Sequence, residues 1–260
     1  NGYDALLEKV LAPPVTKAGR VAVIGGGPAG MAAAYFLRKG GMAVTLLEKT
    51  GALGGVVRHV IPSFRISSEA IDKDAALLEK MGVDICLHTE ADSVEKLKEQ
   101  GYTAVVFAVG AYKPGMLKLE SGEAVNALEF LAKFKETDGN LDIGKNVVVI
   151  GGGNTAMDTA RAAKRTQGVE HAYLVYRRTK RYMPADEEEL LLAVEDGVEF
   201  MELLSPVKLE NGKLLCDVMK LGDFDSSGRR SVLSTGEQKE IPADTVIAAV
   251  GAVSYTHLRA

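Results

Sequence analysis

Glu48 and the adjacent pair Arg177 and Arg178 end two apolar stretches, MAVTLLE and HAYLVYRR. Each stretch lies downstream of a glycine-rich turn. The first turn, GGGPAG, carries Gly25, Gly27 and Gly30 at G-x-G-x-x-G spacing. The second, GGGNTA, carries Gly151 and Gly153, with Ala156 in the third place. In such a turn the first glycine permits a tight bend and the second lets the backbone approach a pyrophosphate. The third lets helix and strand pack closely, a task a small alanine can share. The pyrophosphate rests where a helix begins, here at Pro28–Ala29 and at Asn154–Thr155, because the dipole there favours anions.

The residues that end the strands give the two turns different chemistry. A carboxylate at Glu48 can accept hydrogen bonds from both ribose hydroxyls of an adenosine and repels a 2′-phosphate, so this site suits FAD or NAD. Guanidinium groups at Arg177 and Arg178 suit a phosphate, which they can bind by charge-assisted, bidentate bonds. The second site is therefore expected to prefer NADPH over NADH. The alternative is a solvated basic strand end beside Lys180 and Arg181; since adjacent strand residues face opposite ways, that alternative is stronger for either arginine alone. Two unlike dinucleotide sites on one chain point to hydride transfer from a nicotinamide to a flavin. The protein would mostly supply positioning, and no catalytic side chain is assigned.

The elements that must hold these residues follow from hydrophobic patterning. VAVIGG reads as a buried strand, Pro28 to Lys39 as a helix and MAVTLLE as a strand, followed by an irregular glycine-rich segment, TGALGGVVRHVIPSFR. A helix from about Ser67 to Met81, strand VDICLH, helix SVEKLKEQ and strand TAVVFAVG come next. A polar connection, AYKPGMLKLESGE, leads to an amphipathic helix, AVNALEFLAKFK. At Lys145 the pattern restarts with strand KNVVVI, helix NTAMDTARAAKR, strand HAYLVYRR and the acid-led helix MPADEEELLLAVEDG. The remainder reads as β-rich, with Asn-Gly and Ser-Gly turns. Alternating strands and helices in two copies predict an α/β protein with two Rossmann-like dinucleotide-binding domains.

Composition narrows the classes. The chain has 260 residues, 47% hydrophobic and 25% charged, with a formal net charge of −4, which argues against a nucleic-acid partner. No apolar run approaches the roughly 20 residues of a membrane helix, so no membrane insertion is expected. Cys86 and Cys216 lie in separate apolar runs and read as core thiols of a reduced, cytoplasmic protein. His59, His88, His171 and His257 are isolated, and no metal site is expected.

The segments GALGGVVRHVIPSFRI, VVVIGGGNTAMD, VYRR and MPADEEE…EDGVEF together resemble one family. This is the FAD/NADPH module of glutamate synthase small subunits and of dihydropyrimidine dehydrogenase, with the nearest likeness to a selenate-reductase-type flavin subunit. The resemblance spans residues 18 to 253. It implies that NADPH reduces FAD and that electrons leave singly through [4Fe-4S] clusters to a distant acceptor. It also implies an FAD domain into which the NADPH domain is inserted, with residues 1–122 as the first FAD segment and 123–253 as the NADPH domain. By position, Gly25, Gly27, Pro28, Ala29, Gly30 and Glu48 would hold the FAD adenosine and pyrophosphate. Gly55, Val56 and Arg65 would lie along the flavin half. Gly151, Gly153, Asn154, Thr155, Ala156, Arg177 and Arg178 would bind NADPH. Ala249, Val250 and Gly251 would mark the returning crossing near the nicotinamide, and Gly110 the outward one.

The sequence also departs from that family. It stops before the Gly-Asp element expected to complete the FAD domain, and residues 254–260 do not continue the pattern. No iron–sulfur cysteine clusters are present, so these are expected outside this segment or on a partner, together with a terminal reductase or synthase subunit. A disulfide reductase shares the architecture but needs a redox-active cysteine pair, and the chain has no CxxC. A non-catalytic, cofactor-holding subunit of a redox complex is the alternative from another class. The terminal electron acceptor is not encoded in these motifs.

Overall fold

The computed structural model describes residues 2–91, 93–111, 113–224, 228 and 230–253. The chain divides into two compact units, Asn1–Ala111 and Tyr112–Ala260.

The first unit opens with α1 (Gly2–Lys9), then β1 (Arg20–Ile24), α2 (Pro28–Lys39) and β2 (Ala43–Leu47). It continues with α3 (Gly55–His59), α4 (Ser68–Lys80), β3 (Asp84–Cys86), α5 (Val94–Glu99) and β4 (Tyr102–Phe107). The four strands form a parallel sheet in the order β3-β2-β1-β4. One face of that sheet packs Val23, Val44 and Leu46 against Ala34 of α2 and Leu78 of α4. One feature departs from the sequence expectation. The segment expected to be irregular holds the short helix α3. The strand read at TAVVFAVG is β4, at the edge of the sheet, with Thr103, Ala104 and Phe107 exposed.

The second unit contains β5 (Lys113–Pro114), β6 (Val125–Asn126), α6 (Ala127–Glu136), β7 (Asn146–Ile150), α7 (Asn154–Arg165) and β8 (His171–Tyr176). It continues through α8 (Glu187–Glu195), β9 (Glu199–Glu202), β10 (Leu204–Glu210), β11 (Lys213–Phe224), β12 (Arg230–Pro242), β13 (Thr245–Ala248) and β14 (Ala252–Val253). Five parallel strands run in the order β6-β13-β7-β8-β9, beside an antiparallel sheet β10-β11-β12 and the pair β14-β5. The helix expected from Ala124 starts later. Val125 and Asn126 pair with β13, and the Asn126 side chain then caps α6 by accepting from the amides of Leu128 and Glu129. The Asn-Gly turn joins β10 to β11, with Asn211 and Gly212 both at positive φ, as a tight hairpin demands. Among the described residues, no helix is long and apolar enough to cross a membrane.

α7 is buried along most of its length, and it carries two charged residues inward, Asp158 and Arg161. Arg161 bonds Asp196 at 2.7 Å, Arg165 bonds the same carboxylate at 2.7 Å, and Glu189 lies 3.9 Å from Arg161. Burial alone would raise the Asp196 pKa, but the two guanidinium groups outweigh it and hold the carboxyl below its usual range. A carboxyl whose folded pKa is depressed stabilises the fold above its unfolded pKa, and that contribution is lost as pH falls through the folded value. Asp196→Asn is therefore expected to destabilise unit 2 by about 1–3 kcal/mol at neutral pH. The difference from wild type should start to shrink below about pH 4, near the unfolded pKa, and be lost only as pH falls through the lower folded value. Urea unfolding followed at pH 7 and pH 3.5 checks this; a pH-independent difference would remove the ionic explanation.

Candidate functional site

Both glycine turns sit at points where the strand order reverses. In unit 1 the chain leaves β1 toward β2 and β3, with β4 on the other side. In unit 2 it leaves β7 toward β8 and β9, with β13 on the other side. Crevices of this kind, beyond the carboxyl ends of parallel strands, are where open α/β sheets bind ligands.

The two turns are held by matching bonds. The Gly25 amide donates to Leu47 O at 2.8 Å, and the Gly151 amide to Val175 O at 3.1 Å. Ala108 donates to Ile24 O at 2.8 Å, and Ala249 to Ile150 O at 2.8 Å. A later loop then docks on the residue between the first two motif glycines of each turn, through Gly54 N to Gly26 O (2.7 Å) and Ala185 N to Gly152 O (3.0 Å). The duplication read from the sequence thus extends to individual hydrogen bonds.

Each turn also separates packing glycines from an open one. A Cβ on Gly30 would lie 1.8 Å from Gly25 O, and one on Gly151 would lie 2.5 Å from Ala249 O. A Cβ on Gly27 would meet only Gly55 Cα at 3.8 Å, and one on Gly153 would meet nothing within 4 Å. Neither position needs a left-handed backbone. The protein itself leaves room at the middle glycine, where a pyrophosphate would approach. The helix starts agree with this. Side chains of Ser67, Ser93 and Asn126 cap α4, α5 and α6, whereas α2 and α7, like α3 and α8, have no side-chain cap. The first amides of α2 and α7 remain available to an anion.

Glu48 is buried and fully engaged on one oxygen. Its Oε1 accepts from the Thr50 amide and hydroxyl, each at 2.8 Å, and its Oε2 accepts from the Gly26 amide at 2.6 Å. Burial raises its pKa, but these bonds, helped by nearby His59, hold it below the usual carboxylate range. Three donors on four lone-pair sites leave capacity for one further hydrogen bond, on Oε2. The sequence reading allowed two ribose hydroxyls. Gly55 packs on Gly27, where its own Cβ would come within 2.9 Å of Gly27 Cα. Val56 is exposed beside it, and Arg65 is exposed with its amide on Pro62 O at 2.9 Å. Gly110 is exposed at positive φ.

In unit 2 a cleft of about 870 Å³ gathers Gly151, Gly153, Thr155, Arg177, Arg178 and the returning Ala249–Gly251 segment. Asn154 and Ala156 support it from behind. Ala156 is buried, and the Asn154 amide exchanges bonds with Asp186, which donates its backbone N–H at 3.1 Å and accepts at 3.2 Å. Asp186 is an exposed helix start, the N-cap residue of α8, and through these bonds it also ties the Tyr182–Pro184 wall of the cleft to α7.

The arginines differ from each other. Arg177 is exposed, while Arg178 is buried with its Nε donating to Arg230 O at 2.7 Å. Matched by the Leu47 and Val175 bonds, the counterpart of Glu48 is Tyr176, and the arginines lie one and two residues beyond it. The Tyr176 ring covers Gly152, where a Cβ would come within 2.4 Å, and its hydroxyl donates to Tyr182 O at 2.8 Å. Sequence spacing alone missed this shift because MAVTLLE and HAYLVYRR differ in length after their glycine turns. Among the described residues no carboxylate lines the cleft, although the chain carries more acids than bases.

The remaining groups carry no such arrangement. Cys86 and Cys216 are free thiols raised by burial, Cys216 to about 12, which keeps it a protonated core group. His171 Nδ1 pairs with Glu199 at 2.7 Å on the surface, and His257 lies outside the described residues. Among the described residues, no cluster of three or more His, Cys, Asp or Glu could hold a metal.

Residues 19–260 match the model of the family described as pyridine nucleotide-disulphide oxidoreductase. The chain is 44% identical over 236 residues to YgfK of Escherichia coli (strain K12), covering 89% of this chain and 23% of YgfK. It is 35% identical over 254 residues to the glutamate synthase [NADPH] small chain of the same strain, covering 89% of this chain and 54% of that one. It thus spans between about a quarter and a half of these relatives. FprA of Mycobacterium tuberculosis, solved in complex with NADPH, superposes with a TM-score of 0.75 at 22% identity, over 91% of this chain and 71% of FprA. The Rossmann-like α/β fold and the resemblance read from the motifs are both borne out, and the chain belongs to the pyridine nucleotide-disulphide oxidoreductase family.

Proposed function

We propose that this chain holds FAD on the first unit and NADPH on the second, and serves hydride transfer from NADPH to FAD. The observation that carries the reading is the contrast between the two sites. One has a buried, ionised Glu48 beside an uncapped helix; the other, among the described residues, is lined by Arg177, Arg178 and Lys118 with no carboxylate, beside an uncapped helix. When bound, the nicotinamide supplies a hydride and the flavin accepts it as an electron pair that can leave singly. The residues do the rest. The first-turn amides of α2 and α7 would hold the two pyrophosphates, and Glu48 Oε2 would accept one ribose hydroxyl. Arg177 would meet the 2′-phosphate, and the Tyr182–Pro184 wall would bound the second cleft. Onward electron flow to a terminal synthase on another subunit fits a relative named as a synthase small chain, and iron–sulfur clusters on another segment or subunit would carry it, as the motif resemblance implies. The two unpaired thiols support a reducing, cytoplasmic setting.

The test is anaerobic mixing of the flavin-loaded, full-length protein with NADPH or NADH. NADPH is expected to bleach the flavin absorbance at least ~10-fold faster at equal low concentration, as loss of charge-assisted phosphate bonds implies for NADH. A flavin band untouched by either donor would sink the reading and leave a cofactor-holding role.

A further inference from the structure

The cleft of the second unit carries a cation that neither the glycine turn nor the strand end accounts for. Lys118 lines it from the polar connection before β6. That connection is pinned on both sides. The Gly115 amide donates to Gly251 O at 2.7 Å, and the Glu120 amide to Val207 O at 2.8 Å. Ser121 Oγ bonds Glu210 at 2.6 Å, and the Leu209 amide bonds Ser121 O at 2.9 Å. Leu117 and Leu119, on either side, pack onto the core around Val148, Leu214 and Ile241. Lys118, between them, is exposed and forms no ion pair among the described residues.

Lys118 lines the same cleft as the two arginines. The connection bonds to β10, and Leu203, just before β10, donates its amide to Arg178 O at 3.3 Å. Ser205 and Pro206 of β10 line the same cleft. A phosphate monoester carries a charge between about −1.5 and −2 at neutral pH, more than one guanidinium neutralises. Arg178 already spends its Nε on Arg230 O, so Arg177 is the exposed guanidinium. A lysine adds a compact charge with three donors on a long stem, suited to a phosphate as a point charge. We propose that Lys118 is a specificity-determining residue whose ammonium binds the 2′-phosphate of NADPH beside Arg177. The inference rests on the NADPH reading of this cleft.

Calorimetric titration of the full-length protein with 2′,5′-ADP and with 5′-AMP tests it, since the two probes differ only in the 2′-phosphate. Lys118→Ala is expected to weaken 2′,5′-ADP about tenfold and 5′-AMP by less than about twofold, with an unchanged melting temperature. If wild type prefers 2′,5′-ADP and Lys118→Ala keeps that preference, this inference falls alone. Equal weakening of both probes also overturns it, since the lost contact would then be to a shared group. A wild-type protein that binds both probes alike removes the NADPH reading, and this inference with it.

Discussion

Gly27→Ala and Gly30→Ala, three residues apart in one turn, are expected to fail in opposite ways. At Gly30 the added methyl would sit 1.8 Å from the Gly25 carbonyl oxygen, which is backbone and cannot swing aside. α2 would have to lift off β1, breaking the packing of Ala34 on Val23, Val44 and Leu46. The expected cost is about 3 kcal/mol or more, hence a fall of roughly 10 °C or more in the melting temperature of unit 1. At Gly27 the backbone is extended, with φ −74° and ψ −178°, and the nearest atom stands at an ordinary 3.8 Å. Alanine there should melt within about 2 °C of wild type, because the unfolded chain also loses freedom. The flavin should nonetheless be lost, since the methyl occupies the approach of the pyrophosphate. Gly153→Ala is the same experiment on the second turn and should weaken NADPH rather than FAD. Thermal unfolding beside the flavin content of purified protein reads both effects. A Gly27→Ala protein that retains a full complement of flavin would remove the first turn from the binding site.

That pair of outcomes also shows which parts of the site were legible in the sequence. Glycine spacing encodes backbone geometry, so the turns, the helices behind them and the doubled α/β unit could be read from GGGPAG and GGGNTA with their flanking apolar runs. Side-chain direction is set by tertiary partners, and the sequence does not display these. Glu48 looked like a group open to two hydroxyls, yet Thr50 and Gly26 already occupy three of its four sites. Asp186 looked like an ordinary acidic helix start, yet it reaches back to Asn154, a residue 32 positions earlier. Val125 and Asn126 read as helix because their apolar spacing fits one, but an edge of the sheet was available to pair with them. Short segments take the partner that tertiary structure offers. Lys118 carried no motif at all. Only the folding of its connection against β10 and Gly251 brings it to the cleft.

The adjacent arginines are expected to separate into a reader and an anchor. Arg177 is exposed on the cleft, so Arg177→Ala should leave the melting temperature unchanged. Its loss removes charge-assisted phosphate bonds of about 1.5–3 kcal/mol, so the KM for NADPH should rise roughly 10- to 100-fold while that for NADH barely moves. Arg178 is buried, and its Nε holds the carbonyl of Arg230 at the base of β12. Arg178→Ala leaves that carbonyl without its donor and opens a void under the antiparallel sheet. The expected cost is about 1–3 kcal/mol of stability, with use of both donors impaired. Arg178→Lys should recover the charge but not the stability, because an ammonium cannot reproduce the fixed guanidinium geometry. Steady-state flavin reduction with each donor, beside thermal unfolding, distinguishes the two roles. Equal loss of NADPH and NADH use in Arg177→Ala would exclude a 2′-phosphate contact at that residue. The selectivity of the cleft would then have to come from Arg178 or Lys118, since among the described residues these are the other cations that line it.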